Sequence, residues 1–273
     1  MISLLLAAST LLVPPAPRPV PAVVLVPGAG VTDRDGTIGP NKPLADLARG
    51  LAERGIASIR FDAPGSAEGP ALAALREIAA ARGIDVGRIF VLGHAEGASL
   101  APGLAERAGT VRGLVLLAPA ARPVDERMIE QVRAGAALLG DPEAAELQAS
   151  QLAERFAAVR DKKSVPDPRI LGRPAAYWRE ILATDTARSL KATKLPALVL
   201  HGENDFEVRT DLDFLALRSS IGTAEGRIAY QSFPGLNHYF IAIEGRSSGS
   251  DYGAPGEFAP EAVAAIASWI LSH

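Results

Sequence analysis

The chain has no cysteine, which excludes both a disulfide framework and a zinc-thiolate site. It has no excess of one charge either. Lys and Arg number 28 against 31 Asp and Glu, and the net charge of -3 makes no electrostatic case for nucleic acid or an anionic membrane. No group of His, Asp or Glu has metal-ligand spacing, so neither a metal nor a cofactor is expected. There is no internal repeat and no low-complexity segment. The apolar run over residues 4–13 is too short to cross a bilayer, and no Lys or Arg precedes it as in the usual signal peptide. Two readings of it stand. One is a signal-peptide core followed by a linker over 14–21; the other, preferred, is a strand over 9–13 ended by Pro14–Pro15. The expected compartment is accordingly the cytoplasm, with a secreted or periplasmic protein following if residues 1–20 are a signal segment.

What is present is an ordinary globular composition: 273 residues, 48% apolar and 22% charged, enough for one large domain with or without an inserted cap. From Pro21 onward the order is strand, loop, helix, repeated. Residues 22–26 form a continuous apolar run bounded by Pro and Gly, as in a strand buried on both faces. Leu44, Leu47, Ala48, Leu51 and Ala52 then fall at helical spacing, and Gly55 is placed to end that helix. Strands follow at 57–61, 88–92 and 113–118, with helices over 71–82 and from the turn after Leu92 to about Ala108. Such alternation predicts parallel strands joined by crossover helices, an open α/β sheet.

The alternation stops over residues 121–195. This stretch is rich in Ala, Glu, Arg and Gln and is interrupted over 162–174, which holds three prolines. Strands resume at 197–201 and 227–233, with helices over 211–221 and from Pro260. The middle stretch therefore reads as a helical insertion, and an insertion between strands of an open α/β sheet tends to cover the carboxyl edge, where ligands bind. The expectation is a single domain, 1–273, with a cap over about 121–195; a decoration remote from the site is the alternative.

The chemistry concentrates in three loops at strand ends. Gly93-His94-Ala95-Glu96-Gly97 follows a strand and opens a helix, the context of a nucleophile elbow. The turn is tight and its central residue strained, so the positions two away must be small, and Gly93 and Gly97 satisfy that. The central residue is the exception: the motif asks for Ser, and Ala95 has no oxygen. Past the strand 197–201 stands Asp205, with Glu203 and Asp211 as rival acids. Past the strand 227–233 stands His238, available as a base. His94 and His201 sit at strand ends with the spacing of neighbours of the site, and His273 is terminal. Tyr177 and Trp178 are adjacent aromatics in a chain with 5% aromatics, and either line a substrate pocket or fasten the insertion to the sheet.

The arrangement resembles the α/β-hydrolase superfamily, in its bacterial serine esterase/peptidase-like branch, from about Leu11 to the C-terminus. Val26-Pro27-Gly28-Ala29-Gly30 is similar to the family's first oxyanion loop, with Pro27 in place of the common His. Asp33-Arg34-Asp35, Asn41-Lys42-Pro43 with Asp46-Leu47-Ala48, Ala176-Tyr177-Trp178, His201-Gly202-Glu203 and Leu236-Asn237-His238 resemble the same branch. The resemblance implies an α/β-hydrolase fold and a triad of a serine (its position held here by Ala95), Asp205 and His238. It also implies an oxyanion hole made by the N–H groups of Ala29 and Glu96. The implied partner is a small to medium carboxylic ester, with amide or thioester cleavage as variants.

Ala95 admits two readings. In one, the chain is an inactivated form of a serine hydrolase; in the other, it is a pseudo-hydrolase that binds a ligand without cleaving it. The intact glycines, acid and base favour the first, because a disused set is expected to erode. In both, acyl transfer through residue 95 is impossible.

Overall fold

The computed structural model describes residues 9–28, 33–138, 140–161, 169–224 and 226–273. Strands β1 (Ser9–Leu12) and β2 (Val20–Val26) lead to α1 (Pro43–Ala52), β3 (Ala57–Phe61), α2 (Glu68–Ala80), β4 (Ile84–His94), α3 (Glu96–Ala108) and β5 (Val111–Leu117). Two long helices follow, α4 (Val124–Leu138) and α5 (Pro142–Arg160), then a hairpin of β6 (Arg169–Ile170) and β7 (Arg173–Pro174), and α6 (Ala175–Leu182). Helix α7 (Thr186–Ala192) leads into β8 (Ala197–Gly202), a π-helical turn over Thr210–Phe214, α8 (Leu215–Ile221), β9 (Ile228–Phe233), a 3-10 turn over Ser250–Gly253 and α9 (Pro260–Ser272).

Seven strands form one sheet in the order β1-β3-β2-β4-β5-β8-β9. All neighbours are parallel except β1, which pairs antiparallel with β3 along Ser9↔Phe61 to Leu12↔Ser58. Residues 9–12 thus form a strand, in line with the preferred reading of 9–13. The central strands are covered on both faces, and successive residues divide between two cores. Ala22, Val24 and Val26 face a layer containing Ile78 of α2, Leu104 of α3, Leu190 of α7 and Leu217 of α8. Val23 and Leu25 face the other layer, with Leu47 and Leu51 of α1 and Ile266 and Ile270 of α9.

The chain runs from β2 outward to β3 and returns across β2 to reach β4. The order therefore reverses between β2 and β4, where an open α/β sheet presents its ligand crevice at the carboxyl ends. In register there, Val26 lies beside Gly93.

Boundaries moved where local chemistry overrode apolar runs. β4 begins at Ile84, ahead of the expected residue 88, because Ile84 pairs with Val20 and the Gly83 carbonyl accepts the Val20 N–H at 2.9 Å. α2 begins at Glu68, since Pro70 fits a first helical turn. The expected helix over 211–221 starts as a π-turn, with Asp213 turned inward to accept from the N–H groups of Arg122 at 3.0 Å and Arg209 at 3.1 Å.

Between β5 and β8 the helices divide. α7 packs against α3 and α8 and makes the crossover to β8, while α4, α5 and α6 pack on one another. Among the described residues no helix is long and apolar enough to cross a membrane.

Candidate active site

The turn between β4 and α3 is strained at Ala95. Ala95 has φ 50° and ψ -114°, a conformation disfavoured for a residue with a Cβ, and it is held there by its N–H on the Leu117 carbonyl (2.9 Å). The flanking glycines are required by space. A Cβ on Gly93 would lie 2.2 Å from the Gly97 carbonyl oxygen, and one on Gly97 would lie 2.4 Å from that of Val26. Gly28, at the end of β2, lies against the same turn: a Cβ there would meet the Ala95 Cβ at 3.0 Å and Glu96 Oε2 at 3.5 Å. The backbone form expected of a strand–turn–helix elbow is present, with a methyl group, 5% exposed as a residue, at its apex.

His238 and Asp205 are brought together. Nδ1 of His238 and Oδ2 of Asp205 are 2.7 Å apart, both side chains buried. The other carboxylate oxygen, Oδ1, accepts the N–H groups of Glu207 (2.8 Å) and Val208 (2.9 Å), so the acid is fixed by its own loop. Burial raises the Asp205 pKa, but the imidazole and these donors outweigh it and hold the group below its usual value. Burial likewise lowers the His238 pKa; the charges of Asp205 and Glu207 and the Asp205 hydrogen bond more than offset it, and the value rises to about 9. The two shifts share one cause: each group stabilises the charged form of the other.

His94, next to Ala95, packs on His238 with ring centroids 4.5 Å apart, and its Nε2 lies 2.9 Å from the His238 carbonyl oxygen. A carbonyl only accepts, so Nε2 carries the proton. Burial, reinforced by the charge on His238, lowers the His94 pKa to about 4 and keeps it neutral. His201 is buried farther along β8, stacked on Phe214 and bonded to Thr210 Oγ1 at 3.1 Å. The rival acids are engaged elsewhere: Glu203 accepts from Ser232 Oγ at 2.6 Å, and Asp211 pairs with Arg209 at 2.8 Å.

Glu96 follows the turn at the start of α3. Its Oε1 accepts from Arg127 Nη2 of α4 at 2.7 Å, with both side chains about 5% exposed or less. A cavity of about 200 Å³ opens beside this pair, lined among others by Ser99, Val124, Ile181 and Thr186. Tyr177 and Trp178 are both buried. Trp178 donates Nε1–H to the Ile170 carbonyl (2.8 Å) and meets Phe156 edge-on, so its contacts are with the inserted helices. Tyr177 lies under the Arg173 guanidinium, 5.0 Å from ring centroid to Cζ, and burial, then the nearby Glu96 charge, pushes its pKa up. Ala29 lies outside the described residues. Among the described residues no group of three or more His, Cys, Asp or Glu is placed to hold a metal.

Sequence reasoning missed two residues here. Glu207 lies 3.8 Å from Nε2 of His238, and Arg127 reads in sequence as one of many solvated helix charges. The signal for Glu207 was its position two residues after Asp205, inside the turn that Asp205 caps.

Sheet order, switch point, elbow and acid–imidazole pair together define a member of one fold family. Residues 23–261 match the model of the "Alpha/beta hydrolase family", and the chain belongs to that family. A curated relative, esterase EstD of Thermotoga maritima, is 32% identical over 95% of this chain. The chain spans 64% of the length of EstD. Among solved structures, Est1E from Butyrivibrio proteoclasticus with ferulic acid bound superposes with a TM-score of 0.61 at 16% identity, over 97% of this chain and 94% of that one. The esterase domain of a Rhodothermus marinus protein gives 0.60 at 14% identity, over 96% and 91%. At those identities the two structures bear on the fold alone.

Proposed function

We propose that the chain carries the site of a serine esterase acting on small to medium carboxylic esters, with Ala95 at the nucleophile position. The observation that carries this reading is the buried Asp205–His238 pair packed against His94, the residue that precedes the elbow apex. The relationship to a protein named as an esterase supports the ester class over amides and thioesters.

With serine at position 95, its Oγ would attack the acyl carbon while His238 takes the hydroxyl proton. Asp205 holds the resulting imidazolium, and the N–H groups of Glu96 and Ala29 receive the charge that develops on the carbonyl oxygen. His238 then returns the proton to the departing alcohol, and a water molecule repeats the sequence to release the acid. No cofactor enters. Helices α4, α5 and α6 form the cap that shapes the pocket, with Tyr177 on its wall and Trp178 in its core.

In the chain as it stands the attacking group is missing, so it is an inactivated form of this enzyme. Ala95 itself favours a second reading, a ligand-binding pseudo-hydrolase. Labelling with a fluorophosphonate probe separates the two. The Ala95→Ser variant is expected to label and the chain itself to stay unlabelled; a variant that folds and does not label overturns the esterase reading.

A further inference from the structure

Glu207 puts a carboxylate where the proposed reaction needs none. Its Oε2 lies 3.8 Å from Nε2 of His238, on the nitrogen opposite the one held by Asp205. Two contacts fix its backbone and one fixes its side chain. Its N–H donates to Asp205 Oδ1 at 2.8 Å, its carbonyl accepts from Gln131 Nε2 of α4 at 3.2 Å, and its Oε1 accepts from the Tyr252 hydroxyl at 2.7 Å. Ordering a long acidic side chain costs rotamer entropy, and the Tyr252 hydrogen bond offsets part of that cost. The side chain stays 18% exposed while that of His238 is 3% exposed, so the charge faces a ring that water scarcely reaches.

We infer that Glu207 is a positioning residue for His238: a second carboxylate that, from the Nε2 side, keeps the ring charged and fixes its orientation. The inference rests on the reading of His238 as the site's proton carrier and adds how that carrier is tuned. Other groups facing the ring are Asp205 on the same loop, Glu96 at the start of α3, His94 in the elbow, His201 at the end of β8 and the neighbouring Tyr239. His94 and His201 are held neutral by burial, so the charges acting on the ring are those of carboxylates. Of these, Asp205 and Glu207 are the two in direct contact with ring nitrogens. A carboxylate at this distance from a buried ring favours the imidazolium. With serine restored at position 95, the hydroxyl and Glu207 contend for the same nitrogen.

The test is an NMR titration of the histidine ring nitrogens in the chain itself, in Glu207→Gln and in Glu203→Gln, a control in the same loop. The expected result is a His238 midpoint that falls by about one pH unit or more in Glu207→Gln and stays put in Glu203→Gln. A midpoint unchanged in Glu207→Gln overturns the inference. If Glu207→Gln does not fold, Glu207→Asp, which retracts the charge by one methylene, is expected to lower the midpoint by a smaller amount, and no change there overturns it equally. In the Ala95→Ser background the same removal is expected to shift the pH–rate profile to lower pH. A silent Ala95→Ser variant with a lowered midpoint in Glu207→Gln sinks the esterase reading and leaves the tuning role standing. An active one with an unmoved midpoint does the reverse.

Discussion

Glu96 and Arg127 form an ion pair of 2.7 Å between the residue after the elbow apex and the first inserted helix, with both side chains buried. The pair ties the residue proposed as an oxyanion donor to α4, one of the helices proposed as the cap. A Cβ added at Gly28, at the end of β2, would come within 3.5 Å of the same carboxylate.

Breaking that pair from one side removes a buried charge's partner. Arg127→Met is expected to destabilise the fold by about 3 kcal/mol, read as a lowered midpoint in urea unfolding. The double variant Glu96→Gln with Arg127→Met is expected to recover a large part of that loss. A single variant as stable as the parent contradicts the coupling.

The elbow glycines are expected to differ sharply from a neighbouring helical one. Gly97→Ala forces a Cβ onto the Val26 and Pro27 carbonyl oxygens, and a loss of about 4 kcal/mol or failure to fold is expected. In Gly103→Ala of α3 the nearest atom is the flexible end of Arg107 at 3.6 Å, and a gain of about 0.5–1 kcal/mol is expected. Thermal unfolding of the two variants side by side checks both signs.

Two histidines predict a dome in stability against pH. His238 has its folded pKa raised to about 9, so its contribution is complete below its ordinary value of 6.5 and is lost as pH rises through 9. His94 has its folded pKa lowered to about 4; the unfolded chain binds its proton first, so stability is lost as pH falls from 6.5 toward 4. Melting temperature is expected to peak near pH 6.5. Asp205→Asn is expected to flatten the alkaline limb and His94→Asn the acid limb; limbs that survive these changes contradict the assignment.

Asp205→Asn also bears on catalysis. In the Ala95→Ser background it is expected to lower kcat by about 10⁴-fold, because the amide no longer holds the imidazolium, with little change in KM. An equal loss from Glu203→Gln or Asp211→Asn would transfer the role to one of the rival acids.

Much of the fold was legible because buried parallel strands write themselves as short apolar runs closed by Gly or Pro, as at 22–26 and 57–61. The elbow was legible because its backbone demands glycine at 93 and 97 in fixed register with a strand end. Position past the end of β8 did not separate Asp205 from Glu203; it was the resemblance to the α/β-hydrolase superfamily that implied Asp205. What stayed hidden depends on contacts distant in sequence. Arg127 sits among exposed helix charges, and nothing local says that it is enclosed by α3. The early start of β4 depends on pairing with Val20, and the π-turn at Thr210–Phe214 on Asp213 reaching Arg122. Of the aromatic pair at 177–178, Trp178 is packed against Phe156 and the Ile170 carbonyl, contacts that no local pattern announces.

The most direct measurement is hydrolysis of p-nitrophenyl esters over a range of acyl chain lengths, by the chain and by its Ala95→Ser variant, each at pH 7 and pH 9. The account predicts that the variant turns over, faster at pH 9 than at pH 7 because the raised His238 pKa moves the neutral base to higher pH, and exceeds the chain by about 10⁴-fold or more. Equal rates for the two proteins, or a folded variant silent toward every ester, would contradict it.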